Sequence, residues 1–196
     1  MTITALLLGI IVVVSVAGLT FAPALIERSL LRPYWLLPKR QYSTLLTSGF
    51  MHANLAHLAF NAFTFWSFGT QLERAMGSAR FLALYLVGLL VSDAGTWFKH
   101  KNDPNYASLG ASGAILAVLF ASVVYFPTER LYILPLPVPI PAPLFAVGYL
   151  AYTWYAGRFM MGRVNHDAHF SGALAGLAFV ALTDPQAWQR AYGALT

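Results

Sequence analysis

No charged side chain occurs in residues 3–22. A run of that length is what a helix needs to cross a hydrocarbon core of ~30 Å. Comparable apolar stretches recur at about 50–71, 80–98, 110–126, 142–157 and 167–183. Pro127 stops the fourth and Asp184-Pro185 the sixth, because proline lacks the N–H that continues a helix. The first stretch lacks the positively charged start of a secretory signal and reads as a retained span. Six spans of about 20 residues use most of the chain. The pattern therefore predicts one polytopic all-α membrane domain over residues 1–196 with six transmembrane helices. Two connections stand out. Residues 23–49 form a long first loop whose Tyr34, Trp35, Arg28, Arg32, Lys39 and Arg40 suit the membrane interface. Residues 134–143 read LPLPVPIPAP, and alternate prolines predict an extended or polyproline-like approach to the fifth span. No internal repeat is visible.

Composition agrees with this pattern. Hydrophobic residues are 58% and charged residues 10% of the chain, with a mean hydropathy of +0.62. A soluble domain carries roughly 45–50% apolar and about 25% charged residues. The absence of cysteine removes disulfides, thiolate metal sites and a cysteine nucleophile. The net charge of +5 points to anionic lipid head groups, not nucleic acid, because no Lys/Arg-rich run exists. The cations Arg28, Arg32, Lys39, Arg40, Lys99, Lys101, Arg158 and Arg163 fall in the odd loops. Arg74, Arg80, Arg130 and Arg190 fall on the other side. Taken alone, that bias puts the odd loops in the cytoplasm.

Polar groups inside spans are costly and by default face the protein interior or a water-filled cavity. Three clusters qualify. Gly110-Ala111-Ser112-Gly113 enters the fourth span, where a helix start offers unpaired N–H groups to an oxyanion. The same four residues also suit plain close packing of helices. His169, Gly172 and Gly176 share one face at i, i+3 and i+7, so a neighbouring helix can come close and meet the histidine. If that neighbour is the fourth span, His169 reaches Ser112 and can take its proton. The alternative is a histidine hydrogen-bonded inside the bundle. The third cluster is His52, Asn54, His57 and Asn61. His57 and Asn61 lie one turn apart and carry donors fit for an oxyanion hole or for interhelical bonds. All three clusters lie at span ends bordering the odd loops, so a nucleophile, a base and oxyanion donors can meet on one side of the membrane.

With these residues in order, the chain resembles the rhomboid intramembrane serine proteases. The resemblance rests on Ser108-Leu109-Gly110-Ala111-Ser112-Gly113-Ala114 and on His166-Asp167-Ala168-His169 with Gly172 and Gly176. Phe50-Met51-His52, His57 and Asn61, Glu73 with Gly77, and the proline-alternating stretch also match. It covers nearly the whole chain, in the six-span bacterial-type form. It implies a rhomboid-like bundle in which Ser112 is the nucleophile and His169 its general base, a dyad with no third acid. Ser112 N–H, His57 and Asn61 would stabilise the oxyanion, with His52, Gly110, Gly113, Gly172 and Gly176 in support. The cavity would lie below the membrane surface and open to the extracytoplasmic side of a bacterial inner membrane. The cation count opposes this orientation, but its bias is modest and half of its odd-loop cations lie in one long loop, so the family orientation is preferred. Substrates would be single-span membrane proteins with helix-destabilising residues near the cut. No cofactor or metal is implied.

The chain departs from the family pattern in places. Ser43-Thr44 stands where a Trp-Arg pair is common. Leu116 stands one turn after the nucleophile, at a commonly aromatic position that stacks on the histidine. Arg74 follows Glu73 immediately instead of two residues on. Asp167 points about 200° from His169 on a helix at 100° per residue, which speaks against a triad. His166 is expected at the cavity mouth or wetted interface. Asp93 is expected to pair with Lys99 or line a cavity. Other functions remain open. A non-catalytic rhomboid-like binder or chaperone typically lacks Ser or His, and both are kept here. A proton-coupled transporter could use Asp93 and the histidines, but duplicated halves are absent. A metalloprotease would need His-Glu-x-x-His, which does not occur.

Overall fold

A computed structural model describes residues 1–133, 138–160, 162 and 164–196. Pro135 and Pro137 of the alternating stretch, and Arg163 among the odd-loop cations, lie outside them. The described residues form an all-α bundle with one short β-hairpin. Its long helices are α1 (Ile3–Thr20), α5 (Leu55–Met76), α6 (Ser78–His100), α7 (Ser112–Tyr125), α8 (Ala142–Phe159) and α9 (His166–Thr183). They match the six apolar stretches in order. Two of them, α1 and α6, are long and apolar enough by length and composition alone to cross a membrane.

The boundaries differ from expectation for local reasons. The second helix starts at Leu55, not near 50, because Asn54 is its N-cap and accepts from His57 N at 2.8 Å. It runs on to Met76, where Gly77 at φ +85° turns the chain directly into α6. A side chain at Gly77 would meet nothing, so this glycine serves conformation and not space. The expected long first loop holds three short helices, α2 (Pro23–Ser29), α3 (Pro33–Leu36) and α4 (Thr44–Thr47), followed by a 3₁₀ turn at Ser48–Phe50. The loop docks on the third one: Leu31 pairs with Ser108, and Trp35 Nε1 donates to Pro104 O at 3.2 Å. Pro139–Pro141 is extended as expected, but as a strand (β2) antiparallel to Arg130–Tyr132 (β1). Proline is tolerated there because a two-stranded hairpin is all edge. An unexpected α10 (Pro185–Leu195) follows, with Asp184 as N-cap and Pro185 in its first turn. Tyr125 Oη donates to Asp184 at 2.8 Å and, ahead of Arg190, holds that carboxyl below the usual range.

The start of α1 is capped from outside. Glu73, buried on α5, accepts from Ile3 N and Thr4 N, both at 2.8 Å, and from Thr4 Oγ1 and Ser78 Oγ. One carboxylate thus satisfies two orphan donors of α1, beside the Ala5 amide that Thr2 Oγ1 caps, and joins the helix to the α5–α6 turn. Phe65, Phe81 and Tyr85 stack between α5 and α6. At the centre stands α7, buried at every position from Gly113 to Val124. It packs against α5, α6 and most closely α9. By contrast α8 is peripheral. Its buried positions are Ala142, Ala146, Thr153 and Ala156.

Candidate active site

Ser112 is the first residue of α7, and Ile115 N is the first amide to bond back, to Ala111 O at 3.0 Å. The helix has no side-chain cap, so the N–H groups of its first turn stay free at the serine. Gly110 sets the entry. Its φ is +135°, and a Cβ there would come within 2.8 Å of His57 Cε1. Its N–H bonds to Ser48 O at 2.9 Å. Only glycine meets both demands, a left-handed backbone and an imidazole pressed against its Cα.

His169 lies in the first turn of α9, which Asn165 caps by accepting from Ala168 N at 3.0 Å. Asn165 Nδ2 also donates to Thr96 Oγ1 at 2.9 Å, tying this end of α9 to α6. The glycine face then sets the spacing. A Cβ on Gly172 would lie 2.1 Å from Gly113 O, and one on Gly176 would lie 2.2 Å from Ala117 O. The two backbones therefore touch, and a Cβ on Gly113 would strike Ser92 on α6. At the end of this contact His169 Nε2 stands 2.8 Å from Ser112 Oγ. The expected meeting of His169 with the fourth helix is present, made through the glycines that suggested it.

His57 and Asn61 are brought to the same end. His57 lies against Gly110, and its ring meets His52 edge-on at 4.9 Å. Asn61 Nδ2 is 2.9 Å from His52 Nε2, His52 Nδ1 is 3.0 Å from Ser15 Oγ, and Ser15 Oγ donates to Phe50 O at 3.0 Å. An amide nitrogen can only donate. So His52 accepts at Nε2 and donates from Nδ1, and the order of every proton in the chain follows. His52 is fully buried and acts as a strut that orients Asn61 while leaving one amide hydrogen of Asn61 unused.

The acids stand elsewhere. Asp167 takes Lys99 Nζ at 2.9 Å and His100 Nε2 at 3.2 Å, on the side of α9 away from His169. Asp93 does not pair with Lys99 as expected. It accepts from Ser48 Oγ at 3.2 Å, and Lys99 is taken by Asp167 and by the carbonyl of Gly157. His166 packs edge-on against Tyr152, with its ring 6.1 Å from that of His169.

Sequence reasoning missed Tyr149, whose hydroxyl is 3.2 Å from His169 Nδ1. It sits on the peripheral α8 with no motif around it. Ser15 and Asn165 were also missed, although Asn165 before His166 carries a readable N-cap signal. A cavity of about 420 Å³ opens at the other end of α7, lined by Phe63, Phe68, Ser122, Phe126 and Arg130. Ser122 is ten residues from Ser112, about 15 Å along a helix, so that cavity is not part of the site.

Comparison with known proteins adds the following. The family model described as the rhomboid domain matches residues 39–185. The mitochondrial presenilin-associated rhomboid-like protein of Rattus norvegicus is 33% identical over 149 residues, which is 75% of this chain and 40% of that protein. The protein of the same name from Homo sapiens is 30% identical over 168 residues, 84% of this chain and 44% of that one. Rhomboid protease GluP of Bacillus subtilis (strain 168) is 44% identical over 87 residues, 44% of this chain and 16% of that one. The chain thus spans less than half the length of these curated relatives.

Proposed function

The chain belongs to the rhomboid family of integral membrane proteins, typically serine intramembrane proteases, and from that premise we propose that it is a serine endopeptidase cleaving single-span membrane proteins through Ser112 and His169. The observation that carries this reading is the 2.8 Å contact between His169 Nε2 and Ser112 Oγ at the uncapped start of α7. A serine hydroxyl is a weak nucleophile until an adjacent base takes its proton. Ser112 Oγ adds to the scissile carbonyl carbon while its proton passes to His169 Nε2. The carbonyl oxygen becomes an oxyanion, for which Ser112 N–H, His57 and the unused hydrogen of Asn61 are the nearby donors. Collapse breaks the C–N bond, and His169 protonates the leaving amine. Water then attacks the acyl-enzyme, giving its proton to His169. Cleavage of the C–Oγ bond releases the acid, and the proton returns to Ser112.

The depth of the site fits a substrate that lies in the membrane. The whole chain, 1–196, is read as one membrane domain with the six long helices as its spans. Of these α7 has only 14 residues, about 21 Å at 1.5 Å per residue, against a core of ~30 Å. A span that short leaves its starting residue below the membrane surface, and the neighbouring polar side chains keep that pocket wet. The membrane itself is assigned no further than an integral setting. The expected bacterial inner membrane is not singled out, because the matched relatives include mitochondrial proteins as well as a bacterial one.

The test is labelling by a fluorophosphonate probe in detergent-solubilised protein. Labelling that disappears in both Ser112→Ala and His169→Ala is the expected result. Labelling that persists in either folded variant refutes the dyad.

A further inference from the structure

We infer that Tyr149 is a positioning residue for this site: its hydroxyl accepts the Nδ1–H of His169 and holds the imidazole in the tautomer whose Nε2 can take the Ser112 proton. The inference rests on the dyad reading above. A neutral imidazole carries one proton and can place it on either nitrogen, and only the Nδ1–H form leaves Nε2 free as a base. Something must favour that form. No carboxylate is bonded to His169 among the described residues, since Asp167 is engaged by Lys99 and His100 and Asp93 by Ser48. What stands at Nδ1 is Tyr149 Oη, 3.2 Å away, across the ring from Ser112.

The phenol is itself fixed. Its ring stacks on Phe145 at 5.5 Å and 23°, and meets Phe120 of α7 at 5.9 Å. Both belong to the apolar cluster that contains Leu116 and Ala173, the latter four residues after His169. Leu116 lies one turn along α7 from Ser112 and offers no polar atom. The hydroxyl that serves His169 therefore comes from α8, the least buried of the six long helices.

The same two distances also suit the reverse order, with Nε2–H donating to Ser112 and Tyr149 O–H donating to Nδ1. In that order the serine is not activated, so the two arrangements make different predictions. Tyr149→Phe keeps the ring and its packing and removes only the oxygen. With a fluorophosphonate probe, the maximal labelling rate should fall about ten-fold, the worth of one neutral hydrogen bond, while the half-saturating probe concentration stays unchanged. Thermal unfolding in detergent should show a loss no larger than that of one hydrogen bond, with the protein still folded at the assay temperature. Independently of any variant at 149, ¹⁵N spectra of histidine-labelled protein, with His169 assigned by its loss in His169→Ala, should show the Nδ1–H tautomer. Tyr149→Phe should show a mixture. A wild-type labelling rate in Tyr149→Phe overturns the inference. So does a raised half-saturating concentration at unchanged maximal rate, which makes Tyr149 a binding contact, or an Nε2–H signal in the native protein. If Ser112→Ala or His169→Ala still label, the dyad itself fails, whatever Tyr149→Phe does.

Discussion

Gly172→Ala should separate the serine from its base without touching either. The added Cβ would sit 2.1 Å from Gly113 O and 2.8 Å from Gly113 C. These are backbone atoms of the most buried helix, so no side chain can rotate out of the way. A carbon–oxygen contact relaxes only at about 3.3 Å or beyond, so α9 must move away from α7 by roughly 1.2 Å. His169 is three residues earlier on the same face and moves with it. Its 2.8 Å bond to Ser112 then exceeds hydrogen-bonding range. Overpacking of this kind costs about 1–3 kcal/mol in stability, and a misplacement near 1 Å costs on the order of 10²-fold in rate. Thermal unfolding and the rate of fluorophosphonate labelling measure the two effects separately. Gly9→Ala is the control, because a Cβ on Gly9 of α1 meets nothing within 4 Å. Gly172→Ala with native stability and native labelling would refute the claim that this backbone contact sets the distance. A stability loss with native labelling would show that the histidine is held from elsewhere, by Asn165 or Tyr149.

His57→Ala and Asn61→Ala should each slow cleavage of a tagged single-span membrane protein by ~10²–10³, the worth of one oxyanion donor, with the fold kept by circular dichroism. Full activity in both removes them from the oxyanion role. Asn165→Ala should lower stability by about 0.5–2 kcal/mol, read by thermal unfolding, because it strips the cap of α9 and its bond to Thr96. Asp184 gives a pH dependence. Its carboxyl is held low by Tyr125, so the stability it lends α10 is complete above the ordinary aspartate range and is lost as pH falls through the lowered value. Hydrogen exchange in α10 should rise in acid in the native protein and show no such rise in Asp184→Asn.

What was legible in the sequence was whatever a backbone constraint had written there. The six apolar stretches appear as six long helices. The approach of α9 to α7 was readable because two backbones in contact require glycine, and Gly172 and Gly176 stand at i+3 and i+7 from the histidine. Side-chain partnerships left no such trace. Ser15 is a small residue in an apolar run and looks like packing, yet it anchors the strut that aims Asn61. For Asp93 the sequence offers pairing with Lys99 or a cavity-lining place, but a buried acid takes the donor that the tertiary fold presents, and that donor is Ser48. The end of the second helix was misread because its polar last turn, with Glu73 and Arg74, resembles a loop. Glu73 is in fact buried there and spent on the start of α1.

These two kinds of constraint divide the molecule. Ser112, His169 and the glycines between them are set by α6, α7 and α9, whose mutual contacts are backbone-close and leave no room for substitution. From α8 come four small buried positions, Ala142, Ala146, Thr153 and Ala156, and one hydroxyl at the imidazole. Leu144, Val147 and Trp154 are exposed on its other face. Outward apolar positions in an integral membrane protein can answer to lipid, and lipid accepts any apolar side chain. Changes along that outer face should therefore leave the Ser112–His169 distance alone, whereas any movement of α8 that carries Tyr149 away would remove the Nδ1 partner of His169. The least buried of the six long helices thus contributes a bond that ties its position to the state of the base.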